Sequence, residues 1–213
     1  MTANDLVLYV DFDLTLFDTH QYRQDYLRMV AEEAGLPFEE VFPAMHSFMA
    51  DPTLGGYDYE AHVKSYGLDP ETMWRKLAEE RSKASYLYPD SASFIQSARA
   101  HGYDPKILSF GEKRFQTLKI TPSLPELVGG DSKPLEVTIV DRKKHQHIRE
   151  LHPGQRGVLI DDVPNQELPE GFTEIHIDRT LQLPHPVKKD GGFTIANLAQ
   201  ALEVLAMLQA LST

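Results

Sequence analysis

The chain has 213 residues, a formal net charge of -11 and no cysteine, with 41% hydrophobic and 25% charged residues. This length suits one domain with an insertion, or two small domains, and the composition is that of a soluble globular protein. The missing cysteine excludes disulfides, thiolate catalysis and cysteine-based zinc sites, and the acidic balance argues against a general nucleic-acid binder.

Leu6-Val7-Leu8-Tyr9-Val10 is continuously apolar and predicts a buried parallel strand. Asp11 and Asp13 follow at its carboxyl end, where open α/β sheets bind ligands. Thr19 to Gly35 reads as a helix, with Tyr22, Tyr26, Met29 and Val30 at helical spacing and Gly35 as terminator. A second helix is expected over Pro37 to Met49, then a loop over Asp51-Pro52-Thr53-Leu54-Gly55-Gly56. A short helix follows from Glu60 to Tyr66, ended by Gly67. Asp69-Pro70 then reads as an N-cap with proline at the first helical position, leading into Met73, Trp74 and Leu77. Residues 19–85 are thus expected to form a mostly helical insert.

From Tyr86 helices and strands alternate. Helices are expected over Asp90 to Gly102, Lys113 to Ile120, Lys144 to Leu151 and Ile195 to Leu211. Strands are expected over Lys106 to Phe110, Leu135 to Val140, Gly157 to Ile160 and Glu174 to Ile177. That alternation implies a Rossmann-like parallel sheet of five strands flanked by helices, with right-handed crossovers. The core would comprise residues 1–18 and 86–213, and the insert residues 19–85.

The chemistry gathers at the expected strand ends. Two carboxylates two residues apart, Asp11 and Asp13, can divide attack and proton transfer between them. Ser109 ends the second strand, and Gly111 lets the backbone come close to a ligand. Asp161-Asp162 closes the apolar fourth strand, and two adjacent carboxylates favour a nearby cation. Lys143 and Lys144 open a helix whose dipole disfavours them, a local conflict that hints at function. His145, His147 and His152 raise a zinc site, but side chains two apart on a helix point to different sides. Among Arg23, Arg28, Tyr57, Tyr59, Trp74 and Arg75 of the insert, one or two could read a substrate.

Asp11-Phe12-Asp13-Leu14-Thr15-Leu16, then Ser109-Phe110-Gly111 with its Phe-Gln-x-x-Lys-Ile continuation, the lysine pair and Asp161-Asp162 occur in this order along nearly the whole chain. This pattern resembles the haloacid dehalogenase-like (HAD) superfamily with a helical cap between the first and second motifs. The resemblance implies a cytoplasmic, magnesium-dependent phosphatase acting on a small phosphorylated metabolite through an aspartyl-phosphate. It implies Asp11 as nucleophile, Asp13 as acid and base, and a lysine that holds the phosphoryl group: Lys144, with Lys143 as the alternative. Phosphoryl contacts would come from Ser109, Phe110, Gly111 and Thr15. Magnesium would be held by Asp11, Asp13 and Asp162, with Asp161 a weaker partner and Asn165 completing the motif. A phosphotransferase or mutase, and a non-catalytic phosphate-binding regulator, are the alternatives. There is no basic stretch followed by a signal-like apolar segment at the amino terminus, and no run long enough to span a bilayer. A soluble protein without nucleic-acid or membrane partners is expected.

Overall fold

The first apolar run forms β1 (Val7–Val10) at the centre of a seven-stranded sheet in the computed structural model, which describes residues 6–51, 56–130, 133–164 and 167–211. The other strands are β4 (Pro105–Phe110), β5 (Val137–Val140), β6 (Gly157–Asp161), β7 (Phe172–Ile177), β8 (Val187–Lys189) and β9 (Gly192–Ile195). Their order is β5-β4-β1-β6-β7-β9-β8. Every pairing is parallel except that of the edge strand β8 with β9. The five expected strands are all present, joined by the β8–β9 hairpin. Its turn carries Asp190-Gly191, a hairpin dipeptide, and its short edge strand carries Lys188 and Lys189, which discourage edge-to-edge pairing.

Strand residues alternate between two cores. Leu8, Val10, Ile107, Val158, Ile160 and Ile175 join the large apolar cluster, with Phe94, Ile95 and Ala98 of α5 (Ser91–Ala100) and Leu198, Ala201 and Val204 of α9 (Leu198–Ala210). Tyr9, Leu108, Leu159 and Phe172 face the other way, onto Ile148 of α8 (Lys144–Leu151). Helices therefore cover both sheet faces, as a parallel sheet requires. The last helix starts later than expected: Ile195 ends β9, and Asn197 caps α9 by accepting from Gln200 N.

The insert holds α1 (Thr19–Ala34), α2 (Phe38–Ala44), α3 (Tyr59–Ser65) and α4 (Pro70–Arg81). Gly35 ends α1 in the left-handed conformation, φ 65°. The helix expected over Pro37 to Met49 is shorter. Pro43, with no N–H to donate, precedes a tightening into a 3-10 turn (Met45–Phe48). Met49 then opens β2 (Met49–Asp51), paired with β3 (Gly56–Tyr57). Residues 52–55 of the expected loop lie outside the described residues.

Tyr22, Tyr26, Met73, Trp74 and Leu77 of the insert belong to the same apolar cluster as the sheet face, so one core runs through both layers. The chain enters and leaves the insert as a paired ribbon. Asp18 N donates to Tyr86 O at 2.7 Å, Tyr88 N donates to Leu16 O at 3.0 Å, and Phe17 faces Leu87. Among the described residues no helix is long and apolar enough to cross a membrane.

Candidate active site

Asp11 continues β1 by donating its N–H to Ile160 O at 2.9 Å, which fixes its carboxylate at the carboxyl edge of the sheet. The next residues turn back sharply. Leu14 N donates to Phe17 O, Leu16 N and Phe17 N both donate to Phe12 O, and Leu14 adopts φ 58°. A left-handed leucine costs about 1 kcal/mol, a strain that the surrounding bonds must hold. The reversal puts Asp13 beside Asp11 on the wall of one cavity.

Lys144, the first residue of α8, is buried and donates to Asp11 Oδ1 at 2.5 Å and to Asp161 Oδ2 at 2.8 Å. Lys143 is exposed. The two carboxylates hold the Lys144 ammonium well above its ordinary value. Burial pushes the Asp11 carboxyl up, Lys144 opposes this, and Asp161, Asp162 and Asp13 add to the rise. Asp161 is fully buried and commits its other oxygen to Val163 N at 2.9 Å. Asp162 lines the cavity, and burial with the Asp161 charge pushes it up to about 6. Carboxylate oxygens of Asp11, Asp161 and Asp162 lie within 4.8 Å of one another. Three crowded oxygen donors, two of them with raised pKa values, fit a hard divalent cation. Asn165 lies outside the described residues.

Asp13 sits in a cradle of Thr19 with Gln116 and Lys119 of the Phe-Gln-x-x-Lys-Ile continuation, to which the sequence assigned no role. Its Oδ1 accepts from Lys119 Nζ and from Thr19 Oγ1, each at 2.5 Å, and its Oδ2 accepts from Gln116 Nε2 at 2.8 Å. Burial pushes this carboxyl up, but the Lys119 charge and the donated bonds outweigh it and hold it below its ordinary value. Lys119 and Gln116 lie three apart on α6 (Lys113–Ile120) among the buried Phe115 and Ile120. Two polar residues on the inward face of a short helix were the available signal. Gln116 Nε2 also donates to Phe110 O at 2.6 Å, beside Gly111 at φ 143°. A Cβ on Gly111 would lie 2.5 Å from that same nitrogen.

Of the expected phosphoryl contacts, Phe110 and Gly111 line the cavity. Ser109 and Thr15 are fully buried just behind it, and each hydroxyl is without a hydrogen-bond partner among the described residues. The histidines do not converge. His145 approaches Glu167, while His152 meets Tyr9 Oη at 2.9 Å and Gln155 Oε1 at 2.7 Å. From the insert, Arg23 and Tyr57 reach the cavity. Arg28 pairs with Asp25, Tyr59 and Trp74 pack in the core, and Arg75 borders a separate groove with Glu71. Arg114 of α6 donates both terminal nitrogens to Glu71 of α4 at 2.7 and 2.8 Å and lies 4.6 Å over the Trp74 ring, joining core to insert.

The cavity encloses about 330 Å³ between the carboxylates below and Tyr22, Arg23, Tyr26, Met45 and Met49 above.

No protein-family profile matches the chain, and no curated protein matches it in sequence. Solved structures do. A haloacid dehalogenase-like hydrolase from Burkholderia xenovorans is 20% identical with a TM-score of 0.65, over 94% of this chain and 98% of that one. A HAD phosphatase from Thermococcus onnurineus is 16% identical with a TM-score of 0.61, over 94% and 97%. The HAD-hydrolase YfnB from Bacillus subtilis, bound to magnesium, is 14% identical with a TM-score of 0.58, over 94% and 98%.

Proposed function

From a chain with the fold of the HAD superfamily, we propose a magnesium-dependent phosphatase that hydrolyses a small phosphate monoester through an aspartyl-phosphate on Asp11. The carrying observation is the pair of adjacent, separately served carboxylates: Asp11 on Lys144, and Asp13 on Lys119. One is placed to attack and the other to move protons. Dehalogenases share this fold, and a second carboxylate in its own cradle of donors argues for phosphoryl chemistry instead.

In the first step an Asp11 oxygen attacks phosphorus in line, and the bond from phosphorus to the leaving oxygen breaks. The Asp13–Lys119 pair supplies the proton that oxygen needs. In the second step water attacks the aspartyl-phosphate while Asp13 takes its proton, and the bond from phosphorus to Asp11 breaks. Lys144 faces the charge that spreads over the transferring oxygens, with Phe110 and Gly111 at their edge and the Ser109 hydroxyl behind. Asp11, Asp162 and the backbone carbonyl of Asp13 would hold magnesium, with Asp161 behind them. The ion would offset negative charge on the phosphoryl group. Residues 19–85 serve as the cap that excludes water from this chemistry.

Phosphate release from a panel of phosphate esters, with and without magnesium, tests the proposal. Release that requires both magnesium and Asp11 is expected. No release from any ester by folded protein, or full activity in Asp11→Asn, would refute it. Transfer of phosphate to an added sugar in preference to water would identify a phosphotransferase.

A further inference from the structure

We propose that the leaving group of the substrate is a flat, unsaturated ring carrying a second acidic group, the ring lying against Tyr22, Tyr26, Tyr57 and Phe115 and the acid pairing with Arg23. This rests on the phosphatase reading of the carboxylate end, and concerns the wall of the cavity that the insert and α6 share.

That wall is aromatic. Tyr26 lies with its ring centroid 5.7 Å from Tyr22, 5.9 Å from Tyr57 and 5.7 Å from Phe115, and Tyr57 lies 5.8 Å from Phe115. The polar ends of two of these rings are taken. Tyr57 Oη is bonded to His62 Nδ1 at 2.7 Å, and Tyr26 Oη donates to Met45 Sδ at 3.6 Å. Burial pushes the phenols of Tyr22, Tyr26 and Tyr57 up, so all three stay neutral. The wall therefore offers ring carbon and the thioethers of Met45 and Met49 more than hydrogen bonds. A polyhydroxyl leaving group would surrender bonds to water there and regain few. A flat ring would gain apolar burial and aromatic contact geometry. The volume of about 330 Å³ sits near the lower limit of ligand pockets, which suits one small ring system and not a long chain.

Among the described residues lining the cavity, the charge inventory leaves one lysine or arginine over. Lys144 serves Asp11 and Asp161, and Lys119 serves Asp13. Glu112, also on the wall, is committed to Arg114 N at 2.8 Å and Phe115 N at 2.7 Å as the cap of α6. Arg23 is half-buried on the same wall and has no ion pair or hydrogen bond among the described residues. A guanidinium keeps its charge at any ordinary pH, and its planar fork matches a carboxylate or a second phosphate. In a chain of net charge -11, an uncommitted, partly desolvated arginine inside a cavity is a local attractor for an anion.

Calorimetric titration with phosphonates tests this free of leaving-group reactivity, because the phosphorus–carbon bond is not cleaved. Ethylphosphonate, benzylphosphonate and 3-carboxybenzylphosphonate are compared in saturating magnesium. The benzyl compound is expected to bind at least tenfold tighter than the ethyl one, and the carboxylated ring at least tenfold tighter again. Arg23→Met, with its melting temperature checked against wild type, should keep the first gain and lose the second; Arg23→Lys should retain part of it. Equal binding of ethyl and benzyl compounds, a carboxylate gain that survives in Arg23→Met, or no binding of any phosphonate overturns the inference. Turnover of acetyl phosphate by the same preparation separates the two readings. Turnover with flat phosphonate affinities sinks the ring and acid alone. Graded affinities with no turnover of any ester sink the phosphatase and leave the ligand class standing.

Discussion

Lys119 Nζ lies 2.5 Å from Asp13 Oδ1, and the two residues are 106 positions apart in the chain. The lysine side chain is 3% exposed, and Asp13 is the one carboxylate paired with it among the described residues. In the proposed mechanism Lys119 would serve Asp13 as a proton source of its own, separate from the Lys144 that pairs with Asp11.

Lys119→Gln is expected to lower kcat about 10- to 100-fold, the range of one acid–base contribution. It also removes the charge that depresses Asp13, so the Asp13 carboxyl rises, and the acidic limb of kcat, where Asp13 takes the proton of water, moves to higher pH. A pH–rate profile of both proteins checks this; a lower rate with an unmoved limb would assign Lys119 a packing role.

Lys144→Ala should reduce kcat about 100- to 1000-fold, as loss of a charge stabiliser does. It also leaves Asp11, Asp161 and Asp162 crowded without their cation, at a cost of about 3 kcal/mol, the usual result of removing one partner of a buried pair. The exposed Lys143→Ala should change neither rate nor melting temperature appreciably. Asp11→Asn should abolish turnover and leave the protein folded. Steady-state kinetics beside thermal melting decides all three.

Asp162 gives a pH signature. Its folded carboxyl is raised to about 6, above the unfolded value near 4, so the folded state binds the proton more tightly. Stability from this group is present at low pH and is lost as pH rises through that window, by about 3 kcal/mol. Without divalent cation, the wild-type melting temperature should therefore fall relative to Asp162→Asn between about pH 4 and pH 6.5. Magnesium should restore it in wild type far more than in the variant. A difference between the proteins that is flat with pH would refute the assignment.

Ser109 carries a buried hydroxyl with no partner among the described residues. Ser109→Ala deletes an unsatisfied polar group, so the melting temperature should hold or rise. If the hydroxyl turns to the phosphoryl group in catalysis, kcat/KM falls about tenfold in the same variant, the worth of one hydrogen bond to a charged group. Unchanged kcat/KM would remove Ser109 from the site.

Gly111→Ala should act at a distance. Its φ of 143° strains any side chain, and the new Cβ would strike the Gln116 amide that donates to Asp13. A fall in kcat with a smaller rise in KM is expected, and crystallography would find Gln116 turned away from Asp13.

The parallel architecture was legible because β1, β4 and β6 are short apolar runs with loop chemistry between them. Asp11 and Asp161-Asp162 were legible for the same reason: each ends one of those runs. The edge hairpin was not, since Val187-Lys188-Lys189 has no apolar run and Ile195 also fits the start of the following helix. Lys119 was legible only as part of the Phe-Gln-x-x-Lys-Ile continuation and Arg23 only as one of several insert residues that could read a substrate, neither with its partner. A lysine or arginine on a helix reads as solvated surface until the fold brings a carboxylate or a cavity to it. Lys144 stood out because cations oppose the dipole at a helix start and because the family resemblance expects a lysine there.

The ribbon that ties residues 16–18 to 86–88 has a mechanical consequence. Were residues 19–85 to move as the proposed cap, two strands bonded to each other would flex as one hinge and restrict that movement to a single axis. Thr19 is the first residue past that hinge, and its hydroxyl is one of the donors on Asp13. On the far side, the Arg114 clasp on Glu71 holds the swing closed. If residues 19–85 act as the proposed cap, a swing that breaks the clasp would also lift Thr19 from Asp13, and the position of the cap would then set the proton affinity of the proposed acid and base. Loosening a surface salt bridge on α4 would then alter the timing of chemistry at the opposite end of the insert.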